Sequence, residues 1–126
     1  MDTNNNNEEN QIKKIENFAL QLKKHILEMA VSAGADSAHF GGALSITDIV
    51  STLFAYQMKI DKKNPNWEER DRFILSKGHA CLALYSALVE LNFFRIAISH
   101  FVWLMRSELL RGGVFRFNTT LIYYLC

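Results

Sequence analysis

Residues 71–80 read DRFILSKGHA, an apolar run followed at once by serine, lysine, glycine and histidine. The run RFIL (72–75) is four residues long and follows the charged stretch KIDKKNPNWEER (59–70). A short apolar run between turn signals fits a buried strand. GHACLALYSALVEL (78–91) then resumes helical spacing through Leu82, Leu84, Tyr85, Leu88 and Leu91. A strand ending at Leu75 and a helix opening near Gly78 would set Ser76, Lys77 and His79 beyond the strand's carboxyl end, where open parallel sheets bind ligands. The helix N-terminus adds free N–H groups and a partial positive charge suited to a phosphate. Gly78 allows a tight turn and close approach of the backbone to a ligand. The stretch falls short of the Gly-x-x-x-x-Gly-Lys-Ser/Thr nucleotide loop. Spacing by itself favours a surface turn with a solvated lysine.

Upstream, Ile12, Ile15, Phe18, Ala19, Leu22, Ile26, Met29 and Ala30 recur at steps of three and four, predicting a helix over 11–33 with one apolar face. Lys13, Lys14, Lys23 and Lys24 sit off that face, and Gly34 is a natural stop. Residues 1–10 carry five asparagines and no hydrophobic residue after Met1, which reads as a disordered leader. A glycine-rich loop, GADSAHFGGALS (34–45), leads to a second helix. Ser45 is spaced as its N-cap, with Asp48 in the first turn and Ile49, Val50, Leu53 and Phe54 as the buried face to about Met58. The order helix, helix, strand, helix predicts an α/β architecture with a mainly parallel sheet.

The 126 residues suffice for one modest domain. A net charge of +1 argues against a nucleic-acid surface. No apolar run reaches the roughly 20 residues of a membrane span. The polar, acidic N-terminus is unlike a secretory signal, and Cys81 and Cys126 are too far apart in sequence to form a metal or redox motif. The chain therefore reads as cytoplasmic, with no nucleic-acid or membrane partner. Its character changes after Leu91. Residues 1–91 contain eight lysines and two arginines, whereas 92–126 contain four arginines, no lysine and eight of the fifteen aromatics. Helical periodicity is lost there, apart from a short candidate helix over 101–110. Residues 95–126 read as an aberrant tail, through a frameshift, gene decay or truncation, after a folded unit spanning 11–94.

Four histidines are present. His39 stands before two glycines, where an imidazole can face a ligand or move a proton near neutral pH. Alone, it is better read as satisfying loop carbonyls. His25 lies among helical lysines and reads as solvated, and His100 falls in the tail.

Together, AHFGGALSITDI (38–49), NPNWEERDRFILSKGHA (64–80) and ALYSALVELNFF (83–94) closely resemble the N-terminal region of transketolases, above all the N-terminal subunit of the two-chain type. The resemblance implies a thiamine-diphosphate-binding domain, incomplete on its C-terminal side. It implies an enzyme that moves a two-carbon ketol unit between sugar phosphates, with thiamine diphosphate and Mg2+. Implied partners are a C-terminal subunit and a second copy. His39 would face the active-site channel as the catalytic residue, and His79 would lie against the cofactor's diphosphate. Ser76, Lys77 and Gly78 would form the same cofactor-binding turn, while Asp71 and Arg72 position the run before it.

Two departures from the family stand out. Ser37-Ala38-His39 replaces the usual Ser-Gly-His, a mild change. The Gly-Asp-Gly motif that holds magnesium in the family does not occur in the sequence, and no metal ligands are assigned. The expectation is a transketolase-like fragment that is inactive alone. The alternative is a non-catalytic α/β remnant or interaction module. A related enzyme making deoxysugar phosphates fits RDRFILSKGHA less well.

Overall fold

A computed structural model describes residues 2–33, 40–64 and 66–93. Among them the chain forms helix α1 (Asp2–Ala33), helix α2 (Phe40–Ser45), helix α3 (Thr47–Thr52) continued by a π-helical turn (Leu53–Gln57), a 3-10 turn (Gly78–Ala80) and helix α4 (Cys81–Glu90). The Gly34 stop, Pro65, His39, His100 and the tail lie outside the described residues.

The apolar face of α1 buries Ala19, Leu22, Ile26 and Met29, at the three- and four-residue steps read from the sequence. These residues share a core with Ala43 of α2, Val50 of α3, Phe54 of the π-helical turn, and Cys81, Leu82, Tyr85 and Leu88 of α4. α1 starts at Asp2, nine residues before the Gln11 start that the apolar periodicity indicates. At 1.5 Å per residue, its 32 residues span about 48 Å. Residues 6–14 are exposed along that length, so the first turns project past the core.

The second helical segment differs from its sequence reading. Helix begins at Phe40, and Ser45 ends α2 instead of capping α3. Its hydroxyl donates to the Gly42 carbonyl (2.8 Å), while Ile46 occupies the N-cap of α3 without a side-chain cap. A serine hydroxyl can donate backwards as readily as it accepts forwards, and the helical conformation of Phe40–Ala43 selects the former. The buried side of α3 is Thr47, Val50 and Ser51, followed by Phe54, while Ile49 is 62% exposed. Thr47 donates to the Ala43 carbonyl (3.1 Å) and Ser86 to that of Leu82, which lets hydroxyls occupy the core. The π turn closes with Met58 N–H donating to the Leu53 carbonyl (2.8 Å).

The expected parallel sheet is absent: the described residues contain no strand. RFIL (72–75) takes no strand conformation: Phe73 and Leu75 are half-buried, Phe73 packs on the helical core, and Ile74 is 78% exposed. A strand needs a hydrogen-bonded neighbour, and an apolar tetrapeptide does not specify one. Here one-sided packing replaces two-sided burial.

His25 also departs from its solvated reading. Its side chain is 18% exposed and bridges Glu28 (Nδ1 to Oε2, 3.4 Å) and Glu90 (Nε2 to Oε2, 3.0 Å), tying α1 to the last residue of α4. α4 ends in a Schellman motif: Phe93 N–H donates to the Leu88 carbonyl and Asn92 N–H to that of Val89, both at 2.9 Å. Asn92 sits in the left-handed region (φ 59°), and Phe93 packs on the core. Asn92→Gly is expected to leave stability unchanged or slightly raised, whereas Asn92→Val should cost about 1–2 kcal/mol, the penalty of a Cβ in that region. Urea denaturation of both variants checks this; equal midpoints would contradict it.

Burial pushes the Cys81 thiol from its ordinary 9.0 to about 11 and also raises the Tyr85 phenol. Both groups hold their protons more tightly when folded. The associated stability is therefore complete below the unfolded pKa and lost as pH rises through the folded value. Between pH 9 and 11 the wild-type chain should lose more stability than Cys81→Ala, as read by thermal melts across that range. Parallel losses would refute the assignment.

Candidate functional site

The run leading to Ser76 is fastened over its first three residues. At its start, Asp71 and Lys59 form a two-bond clamp: Lys59 N–H donates to Asp71 Oδ2 (2.7 Å), and Asp71 N–H donates to the Lys59 carbonyl (2.9 Å). The clamp closes the charged loop between them. Arg72 folds back over that loop, its Nη1 donating to the Glu68 carbonyl (3.2 Å). Phe73 then meets Phe54 edge-on, with ring centroids 5.4 Å apart and planes at 71°, a favoured aromatic geometry. Asp71 and Phe73 thus fix the direction in which the chain approaches Ser76.

Beyond Leu75 the chain crosses from solvent to core within a few residues. Ser76, Lys77 and His79 are exposed and Gly78 is half-buried, but Ala80 is fully buried and Cys81 nearly so. Lys77 is extended (φ −84°, ψ 95°). Ala80 N–H donates to its carbonyl (3.0 Å), closing the 3-10 turn that opens α4. No side chain caps α4. A hydroxyl, an ammonium and an imidazole therefore sit at three of four successive positions beside the uncapped start of a ten-residue helix. These are donors and positive charge, the complement of a phosphate group. Cys81 adds no nucleophile, because its raised pKa keeps the thiol protonated near neutrality.

The glycine motif meets this turn in space. A Cβ built on Gly42 would lie 3.5 Å from the His79 carbonyl oxygen, 3.8 Å from its carbon and 3.8 Å from Lys77 Cε. A Cβ on Gly41 would have nothing within 4 Å. α2 thus packs its backbone on the Lys77–His79 turn. Ser76, Lys77, Gly78 and His79 are brought together as their adjacency requires, and α2 joins them. His39, immediately before α2, lies outside the described residues. The sequence reading treated Gly42 only as part of a motif and took no site role from it. Its spacing carries no signal for a contact 35 or more residues away.

The donor set fits the diphosphate end of thiamine diphosphate in kind, with cationic and hydrogen-bonding groups and no carboxylate among Ser76–His79. Magnesium is different. It requires an array of oxygen ligands, and the described residues hold no group of three or more His, Cys, Asp or Glu side chains able to bind a metal. No helix among the described residues is long and apolar enough to cross a membrane.

Residues 18–104 match the family model described as "Transketolase, thiamine diphosphate binding domain". The 6-deoxy-6-sulfo-D-fructose transketolase subunit SqwG of Clostridium sp. (strain MSTE9) is 44% identical over 77 residues, which cover 61% of this chain and 27% of that protein. Transketolase 1 of Candida albicans is 48% identical over 64 residues, covering 51% of this chain and 9% of that one. Transketolase of Aquifex aeolicus is 40% identical over 81 residues, or 64% and 12% of the two chains. This chain therefore spans from 9% to 27% of the length of these relatives. The family match covers more than half of the chain and includes both α2 and the Ser76–His79 turn. The chain belongs to the transketolase family, as part of its N-terminal, thiamine-diphosphate-binding domain.

Proposed function

We propose that this chain contributes part of a cofactor site that carries a two-carbon ketol unit between sugar phosphates. The observation that supports it most directly is the packing of Gly42 against Lys77 and His79, which joins two separated motifs of the family match into one exposed cationic turn. In this reading His79 donates a hydrogen bond to the cofactor's diphosphate. Lys77 supplies a positive charge, Ser76 a hydroxyl donor, and Gly78 the tight backbone turn that presents them. His39, six residues before Ser45 at the mouth of α2, faces the sugar phosphate and moves a proton near neutral pH. Thiamine diphosphate, when bound, supplies the carbon centre that holds the transferred unit; the protein's part is binding and orientation. Magnesium has no ligand set among the described residues, and no step is assigned to it.

Activity belongs to a larger unit in which a C-terminal subunit and a second copy of the catalytic assembly take part, in the cytoplasm. The chain by itself binds diphosphate weakly and does not turn over substrate. Two measurements test this. Thiamine diphosphate should broaden in its 31P NMR spectrum on addition of the chain, and the broadening should disappear in the Lys77→Ala/His79→Ala double variant. Identical spectra for the two proteins would overturn the site assignment. In a coupled assay with xylulose 5-phosphate, thiamine diphosphate and magnesium, no steady turnover is expected; sustained turnover would show that the chain holds a complete site.

The arginine-only, aromatic-rich ending supports a further part of the reading, that the terminal stretch is translated out of frame. In this reading the break lies near Phe94, where lysine gives way to arginine and helical periodicity ends; the family match itself extends to residue 104. Another frame of the same DNA should then encode a continuation bearing Gly-Asp-Gly. Sequencing the locus decides it: if no frame encodes such a continuation and the intact mass equals that of the 126 residues, the ending is genuine.

A further inference from the structure

We infer that Gly42 is a positioning residue for His79 and Lys77, and that its neighbour Gly41 is not. The two glycines are adjacent and both lie in α2, but they face different surroundings. At position 42 a Cβ would touch the His79 carbonyl oxygen at 3.5 Å and the Lys77 stem at 3.8 Å. At position 41 it would enter open space. The bare backbone at 42 therefore serves as a seat: the His79 carbonyl rests on it, and the Lys77 methylenes pass over it.

The two contacts differ in how much they can yield. The Lys77 stem is flexible and can swing aside. The His79 carbonyl has less freedom, because the turn closes on itself and leads straight into the core. Ala80 N–H is bonded to the Lys77 carbonyl at 3.0 Å, and Ala80 itself is fully buried at the start of α4. Nor can α2 retreat, since Ala43 is fully buried and Ser45 Oγ holds the Gly42 carbonyl at 2.8 Å. A methyl group at 42 makes an ordinary van der Waals contact. A branched side chain has to displace the turn, and with it the imidazole and ammonium on either side of Gly78.

The inference rests on the reading of this turn as the diphosphate-holding element, but its readout is the placement of His79 with no cofactor present. A failure of cofactor binding thus leaves it standing, and its own failure leaves the cofactor assignment standing. The test compares Gly42→Val with Gly41→Val, which change helix propensity equally in the same short helix. The His79 imidazole cross-peaks are identified by their loss in His79→Gln, and the full chain is used throughout. Gly42→Val should shift those peaks several-fold more than Gly41→Val, at matching far-UV circular dichroism, and Gly42→Ala should restore them to near the wild-type position. Equal shifts in the two valine variants, or no shift in either, would overturn the assignment. Should Gly42→Val fail to fold, the wild-type chain still decides. A nuclear Overhauser contact between Gly42 Hα and Lys77 Hε is expected, and its absence refutes the seat.

Discussion

Leu22 and Ile26 of α1 are wholly excluded from water, and they share their core with Val50 of α3 and the Cys81–Leu88 face of α4. Burying side chains of this size is worth about 1.5–3 kcal/mol each, more than the local hydrogen bonds of the short helices supply. α2 and α3 have six residues apiece, too few to persist in water alone. They are helical because α1 offers them a surface. The His25–Glu90 contact at 3.0 Å then closes the far end of α4 onto the same helix. α1 is thus the template on which α2 and the start of α4 are brought close enough for Gly42 to reach His79.

Where periodicity was long, the sequence was a good guide. The steps from Ala19 to Met29 identified the buried face of α1, and Leu82, Tyr85 and Leu88 identified α4. Short signals failed for physical reasons. RFIL has the composition of a strand, but pairing is a property of two segments, and no neighbour is encoded within the run itself. Ser45 has the chemistry of an N-cap and also that of a helix-terminal donor; only the conformation of the four residues before it separates the two. Ile49 seemed part of a buried face because it is apolar, yet the helix turns Thr47 and Ser51 inward instead. Small hydroxyl residues let helices approach closely, and a hydrophobicity pattern is blind to that.

For the candidate site, the residues proposed came from the sequence and the contacts that support them did not. Ser76, Lys77, Gly78 and His79 are consecutive, so their proximity needs no fold, and the family resemblance gave them a role. What holds them came from distant positions. Asp71 clamps Lys59 across the charged loop, Phe73 is set by Phe54, and Gly42 underlies the turn. Each is a contact between residues at least a dozen apart in the chain, and none leaves a local pattern. In the glycine pair, identical residues at adjacent positions have opposite surroundings, a distinction that exists only once α2 is packed.

The turn from Ser76 to Cys81 couples the surface of the candidate site to the core of the fold. His79 is exposed, and the next residue, Ala80, is completely buried. One peptide unit therefore divides an exposed residue from those committed to the core. The backbone that orients the imidazole is the same backbone that delivers Ala80 and Cys81 into the hydrophobic cluster, so a change in packing at either residue is transmitted to His79 without any intervening flexible joint.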